Sequence, residues 1–341
     1  MSNLSNITGT GFLTLDVILN GSKNTPPKFQ AGGSFGNVLT ILSFLGFNTY
    51  PISRLADNKV TDLLLEDIKK WNVNIDLIFK EDNGSTPIII HRILKDKLGN
   101  PKHKFEFKNP NNGKWLPSYR PFLSKDVKQV ERNLPKSNVY YFDRVSRSSI
   151  DLAKISKEKG GLVYFEPSSY NTSKQFKEAI SVSDIIKFSS DRIKNYKELF
   201  PKNNSILEIE TLGANGINYR FKSDEWIKLP PFLVSNPIDT AGAGDWCSSG
   251  IIKKLCLNGI LVNQSKEQIE KALNYGQALG AINCLFDGAR GAMYNKTIHE
   301  IESLVSDILD GNFNIDPESI IPKKIPNKYT YSDVDKLFNS I

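Results

Sequence analysis

Cysteine and histidine are scarce, with 3 of each in 341 residues. Cys247, Cys256 and Cys284 cannot all pair, and no two have the close CxxC spacing of a zinc site, so a disulfide scaffold and a cysteine-bound metal are both excluded. They read as reduced side chains in helices. Cys247 follows Asp245 by two positions, but with no histidine nearby in sequence it is a buried thiol before it is a nucleophile. His91, His103 and His299 share no ligand spacing, which argues against a protein metal cage. Long apolar runs are missing too. No stretch approaches the ~18 residues that cross a bilayer, and Met1 to Ile18 lacks a basic segment leading into an apolar one. The expectation is a cytoplasmic protein with no membrane partner. Internal repeats and low-complexity tracts, which would suggest a solenoid or a linker, are not found. Two phosphate-binding signatures are also absent: GxxxxGK[ST], and the dinucleotide pattern GxGxxG. Gly9-Thr10-Gly11 starts the second, but Thr14 stands where its third glycine belongs and no helix follows, which disfavours an NAD-dependent dehydrogenase.

The remaining composition is that of an ordinary globule, 39% hydrophobic and 24% charged, long enough for one large α/β domain or two modest ones. The net charge of +7 is scattered. Its densest stretch, Lys95 to Lys114 with Arg120 beyond, carries Phe105, Phe107 and Trp115, which a nucleic-acid reading would use as stacking platforms. The alternation Lys104-Phe105-Glu106-Phe107-Lys108 instead predicts a half-buried strand, so no nucleic-acid partner is expected.

Strand-like and helix-like segments alternate. Strands are predicted over 6–12, 49–53, 139–142, 162–165, 184–188, 205–210 and 217–221, and helices over 34–45, 61–71, 148–159, 243–257, 268–285 and 297–309. This order predicts an α/β fold: a three-layer, doubly wound, mainly parallel sheet. The alternation breaks at Pro87 to Ile93 and His103 to Phe107, two strands with no helix between them, which read as a small β lid. Residues 1–311 would form one domain, with lid strands from about 13–30 and 84–118, and 312–341 a tail packed on the surface.

The strongest chemical signal is Asp239-Thr240-Ala241-Gly242-Ala243-Gly244-Asp245, running into a helix. Two glycines let the chain fold so that the NH groups of Gly242, Ala243 and Gly244 point at one spot, and the helix adds its positive dipole end. Asp245 in the first turn can take a proton from an alcohol approaching the anion held there. The combination points to phosphoryl transfer to a hydroxyl. At the acceptor end, Asp16 follows the first strand, and Gly32, Gly33 and Asn37 open the next helix. A carboxylate accepts two hydroxyl protons, an amide offers donor and acceptor, and a Gly-Gly pair lets a polyol approach the backbone. Asp143 ends a strand at the edge where open sheets gather ligands.

These motifs, with Thr211-Leu212-Gly213-Ala214-Asn215-Gly216 between two strands, resemble the ribokinase-like (PfkB) family of sugar and nucleoside kinases over roughly residues 5–310. The resemblance implies ATP and Mg²⁺, with Asp16, Gly32, Gly33 and Asn37 on the acceptor. It also implies Thr211, Gly213 and Gly216 beside the nucleotide, where Asn274 and Gln277, one helical turn apart, reach adenine or ribose. Asp287-Gly288-Ala289-Arg290-Gly291-Ala292 matches the family's small-residue loop beside the nucleotide; its carbonyls and Asp239 would hold a monovalent cation, K⁺. The chain departs from the family where an Asn and a Glu three apart are usual. Ser189 and Arg192 stand there, so Arg192 would touch phosphate directly, or Asp191 would hold the magnesium-linked water. A Gly-Asp-Asp-rich turn is likewise replaced by Leu55-Ala56-Asp57-Asn58. The expected activity is ATP-dependent phosphorylation of a sugar or sugar derivative. The alternatives are a nucleoside kinase of the same fold and a non-catalytic nucleotide-sensing or protein-binding module. Lys102, Lys104 and Arg120 leave room for an acidic or phosphorylated sugar, and a lid edge leaves room for a homodimer.

Overall fold

Short strands with apolar residues on both faces organise the centre of the molecule, as expected where helices cover a parallel sheet on each side. The structure, a computed structural model, describes residues 5–20, 25–95, 101–202, 204–222, 225–234, 237–257, 261–312 and 328–341. The first part of the chain runs β1 (Asn6–Thr10), β2 (Thr14–Asn20), β3 (Lys28–Gly32), α1 (Ser34–Phe44), β4 (Asn48–Pro51), β5 (Ser53–Ala56), α2 (Lys59–Lys69), β6 (Ile78–Glu81), β7 (Ile88–Lys95) and β8 (Pro101–Glu106). The middle runs α3 (Val127–Asn133), β9 (Val139–Phe142), α4 (Arg147–Glu158), β10 (Leu162–Phe165), α5 (Lys174–Val182), β11 (Ile185–Ser189), α6 (Tyr196–Leu199), β12 (Leu207–Thr211), β13 (Ile217–Phe221) and β14 (Ile227–Leu229). Helices α7 (Ala243–Leu257), α8 (Lys266–Asn283), α9 (Gly291–Asn295), α10 (Ile298–Leu309) and α11 (Tyr331–Asn339) complete it.

The main sheet has the order β14-β13-β12-β11-β10-β9-β1-β4. It is parallel from β4 to β12 and antiparallel only at the β12-β13-β14 edge. The carboxyl ends of β1, β9, β10 and β11 therefore share one rim, and the loops leaving them build the site. Above that rim lies the four-stranded sheet β3-β2-β7-β8. Its strands come from both regions expected for the lid: two antiparallel pairs, β2-β3 and β7-β8, joined where β2 runs parallel to β7.

The side expected to be buried on β8 is reversed. Phe105 and Phe107 are 52% and 49% exposed, and Glu106 is the half-buried residue, paired with Arg92 and Lys104 at 2.7 Å each. Only one face of this edge strand can meet the body. The β7 register sets Phe105 opposite His91, whose ring stacks on it at 4.7 Å.

Two helices fix the site most tightly. Helix α8 packs on α7 through glycines: a Cβ at Gly250 would lie 2.8 Å from the Gly276 Cα, and one at Gly280 would lie 2.8 Å from the Ala243 carbonyl. The start of α7 is thereby wedged against the last turn of α8. The tail ends in α11, and it does more than cover the surface. Its Val334, Leu337 and Phe338 are buried in the same apolar cluster as Val17, Phe29 and Ile90 of the lid. The stretch from 313 to 327 lies outside the described residues.

Candidate active site

The turn before α7 is built by one carboxylate and one glycine. Asp239 Oδ1 accepts the Ala241 N–H at 2.8 Å, the self-closing turn typical of aspartate, and Oδ2 accepts the Gly288 N–H at 2.9 Å. Gly242 then adopts φ +74°, and a Cβ there would sit 2.0 Å from the Ala289 carbonyl oxygen, so conformation and space both demand glycine. The N–H groups of Gly242, Gly244 and Asp245 donate to no group among the described residues. Ala243, expected among the donors, differs: its N–H leans on the Thr240 carbonyl at 3.3 Å because the first turn closes over it. Unpaired amides at a helix start are an anion site, reinforced by the helix dipole.

Asp245 stands in that first turn, half-buried, and its Oδ2 accepts a 2.7 Å hydrogen bond from the Asn37 amide of α1. Burial pushes its carboxyl up to about 7; the negative charge of Glu166 adds to this, while Asn37, Lys187 and Arg192 pull it down. Asn37 Oδ1 is buried without a partner, so the amide that holds Asp245 also presents an unsatisfied acceptor.

Glu166 and Lys187 were not among the residues singled out from the sequence. Glu166 leaves the carboxyl end of β10; its Oε1 takes the Lys187 Nζ at 2.5 Å, and its Oε2 accepts Tyr141 at 3.1 Å and Ser248 at 2.5 Å. Lys187 is 1% exposed and also donates to the Gly244 carbonyl at 3.1 Å, which places a cation beneath the first turn of α7. A lysine in the middle of the apolar strand Ile185-Ile186-Lys187-Phe188 was a readable signal, because a buried lysine requires a partner.

On the acceptor side, Asp16 follows β1 and lies within β2. Thr14 donates to it at 2.5 Å, and burial pushes its carboxyl up to about 6 against the pull of Thr14 and Arg290. The two glycines have separate tasks. A Cβ at Gly32 would lie 2.0 Å from Asp16 Oδ2, whereas Gly33 takes φ +81° to cap α1, with the Phe12 carbonyl 2.1 Å from where its Cβ would be. Asp143, expected on the acceptor, is tied to the backbone. Its oxygens accept the Phe12 N–H at 2.8 Å and the Phe35 N–H at 3.1 Å, with Arg144 at 3.3 Å, so it clips the β1–β2 turn to the start of α1. The strand-end rule located this carboxylate at the rim but not its direction.

On the donor side, Thr211 ends β12, and the turn through Gly213 (φ +57°) and Gly216 (φ +92°) borders an open cleft of about 360 Å³ lined by Ala214, Asn215, Lys228, Pro230 and Pro231. Gln277 Nε2 reaches the Pro230 carbonyl at 3.2 Å and Asn274 Oδ1 at 3.4 Å, so these α8 amides meet the wall of that cleft. Gly288, at φ +93°, turns the loop that Asp239 holds. Arg192 and Asp191 lie exposed after β11; Arg192 is close enough to lower the Asp245 carboxyl. Among the described residues no three His, Cys, Asp or Glu side chains form a metal-binding group, and no helix is long and apolar enough to cross a membrane.

A probable fructokinase of Arabidopsis thaliana is 25% identical over 288 residues, which is 78% of this chain and 81% of the relative. A fructokinase from Vibrio cholerae, solved with fructose, ADP and a potassium ion, shares the fold with a TM-score of 0.68 at 19% identity, over 89% of this chain and 98% of that one. An aminoimidazole riboside kinase from Salmonella enterica, solved with its riboside and an ATP analogue, does so at 0.65 and 17%, over 88% and 100%. The sequence profile described as pfkB family carbohydrate kinase matches residues 14–295, spanning the lid, the α7 turn and the loop around Gly288, and the chain therefore belongs to that family of phosphotransferases.

Proposed function

We propose that this protein transfers the γ-phosphoryl group of ATP to a hydroxyl of a neutral sugar or sugar derivative, with Asp245 as general base. The observation that carries this reading is the pairing of Asp245 with free amides at one helix start. The carboxyl, raised to about 7, is matched to accepting a proton near neutral pH, and the Gly242 and Gly244 N–H groups lie on the same turn. Asn37 orients the carboxylate, and its open Oδ1 suits a donor hydroxyl of the acceptor. Lys187 and Arg192 offset negative charge that gathers beside the turn. Mg²⁺, when bound, would supply positive charge that offsets the charge of the nucleotide phosphates. With no three-ligand protein group among the described residues, it fits as an ion held mostly by phosphates and water, with Asp191 or Glu166 nearby.

The acceptor side supports a neutral substrate. It offers the carboxyls of Asp16 and Asp245, while Lys104 is paired with Glu106 at 2.7 Å and Arg120 donates to the Asn83 carbonyl at 3.1 Å. The Lys102 side chain lies outside the described residues. A nucleoside acceptor is the second reading, favoured by the likeness to the riboside kinase.

ATP consumption with neutral sugars, sugar acids, sugar phosphates and nucleosides tests the substrate class. Asp245→Asn should lower turnover of the accepted substrate by about 10²-fold or more while ATP still binds. Near-normal turnover of the variant would remove Asp245 from the role of base. Turnover of nothing in the panel, with ATP bound, would favour a nucleotide-sensing module.

A further inference from the structure

Behind the anion turn, several carbonyl oxygens converge where the family resemblance led us to expect a monovalent cation. The space is not left to an ion. Asn283, fully buried at the end of α8, directs its Nδ2 at the Ala241 carbonyl at 2.9 Å and at the Gly288 and Ala289 carbonyls at 3.4 Å each. Its Oδ1 accepts the Ala292 N–H at 3.1 Å. That last bond fixes which way the amide faces: reversed, its oxygen would meet three carbonyl oxygens and its NH₂ would meet an N–H. Converging carbonyl dipoles repel unless positive charge lies between them, and the two amide hydrogens supply it.

The same two residues are gripped from both sides. Asp239 holds the N–H groups of Ala241 and Gly288, and Asn283 holds their carbonyls. Because the Ala289 carbonyl packs directly on Gly242, this clamp sets the turn that presents the free amides. Resting on the kinase reading above, we propose that the Asn283 side chain stands in for a monovalent cation, so that this enzyme holds its phosphate-binding turn without one.

The test compares the full-length protein in potassium chloride and in tetramethylammonium chloride at equal ionic strength, reading both Tm with ADP present and turnover of the sugar found in the panel. The wild type should be indifferent to the exchange in both readouts. Asn283→Ala should lose about tenfold in turnover in tetramethylammonium, the scale of losing a hydrogen bond or two at a buried turn, and recover in potassium. Asn283→Asp keeps the shape but turns two donors into acceptors, so its Tm should rise with potassium even where the alanine variant fails to fold. A several-fold activation of the wild type by potassium overturns the proposal, and so does a pair of variants as indifferent to potassium as the wild type. The Tm arm needs no turnover, so a protein that phosphorylates nothing still decides the role of Asn283. A potassium-activated kinase would sink this inference and leave the function standing.

Discussion

The Asp245 carboxyl sits at about 7 in the folded protein and at 3.8 when exposed, chiefly because burial disfavours its charge. Folding therefore takes up a proton between those values, and stability falls as pH rises from about 4 to about 7. Replacing the residue removes that loss. Asp245→Asn, which keeps the Asn37 contact available, should stabilise the ligand-free protein at pH 8 by on the order of 2 kcal/mol, a discounted conversion of the shift at 1.36 kcal/mol per pH unit. Near pH 4 it should do little. Melting curves of both proteins at the two pH values check this, and a Tm gap that does not widen with pH would show that the carboxyl is ordinary. The variant that loses turnover would then be the more stable one, as expected where a site holds an ionised group against its surroundings.

At the scale of elements, the turn and the helix behind it were legible because their signals are local. Glycines at 242 and 244, a carboxylate at 239 to close the turn and another at 245 in the first turn can all be read along the chain. Glu166 and Lys187 escaped notice because their meaning comes from strands β10 and β11 lying side by side, and the pairing is long-range. The direction of Asp143 was hidden for a related reason: strand order locates a residue at the rim, but the neighbouring N–H groups of Phe12 and Phe35 decide which way it faces. Asn283 has no sequence signal at all, since an amide near a helix end is ordinary until three carbonyls are found around it.

The turn makes its own prediction. Gly242→Ala must enter the left-handed region at φ +74° and displace the Ala289 carbonyl, so turnover should fall by about 10²-fold, the effect of losing an oxyanion donor. Gly46→Ala is the control: at φ +95° with nothing within 4 Å of its Cβ, it carries the same backbone strain far from any donor. It should lose about 1–2 kcal/mol in stability and keep its turnover. Equal kinetic losses in the two variants would mean that the turn acts only through the fold.

At the scale of the whole molecule, the lid that carries Asp16 is held from an unexpected direction. The main sheet and the lid form separate hydrogen-bonded sheets, and among the described residues no strand ladder joins them. Asp67 of α2 and Arg290 grip the backbone of Ala31 in β3, and the end of the chain reaches the lid as well. Tyr329 meets the Phe29 ring edge-on at 4.7 Å, Phe338 is 1% exposed within the lid's cluster, and its carbonyl accepts the Asn109 amide at 2.8 Å. Lys328 pairs with Glu66 on α2, tying the same segment to the body. A helix so placed bears on the acceptor half of the site through the lid residues Phe29 and Asn109. Phe338→Ala should therefore cost about 3 kcal/mol, at the lower end for a buried aromatic ring, and raise KM for the sugar while leaving KM for ATP near its starting value. Removing 328–341 should act in the same direction and more strongly. Thermal melts with separate KM measurements for both substrates check the argument: equal rises in the two would mean that α11 supports the fold as a whole, and unchanged values would mean that the lid holds itself.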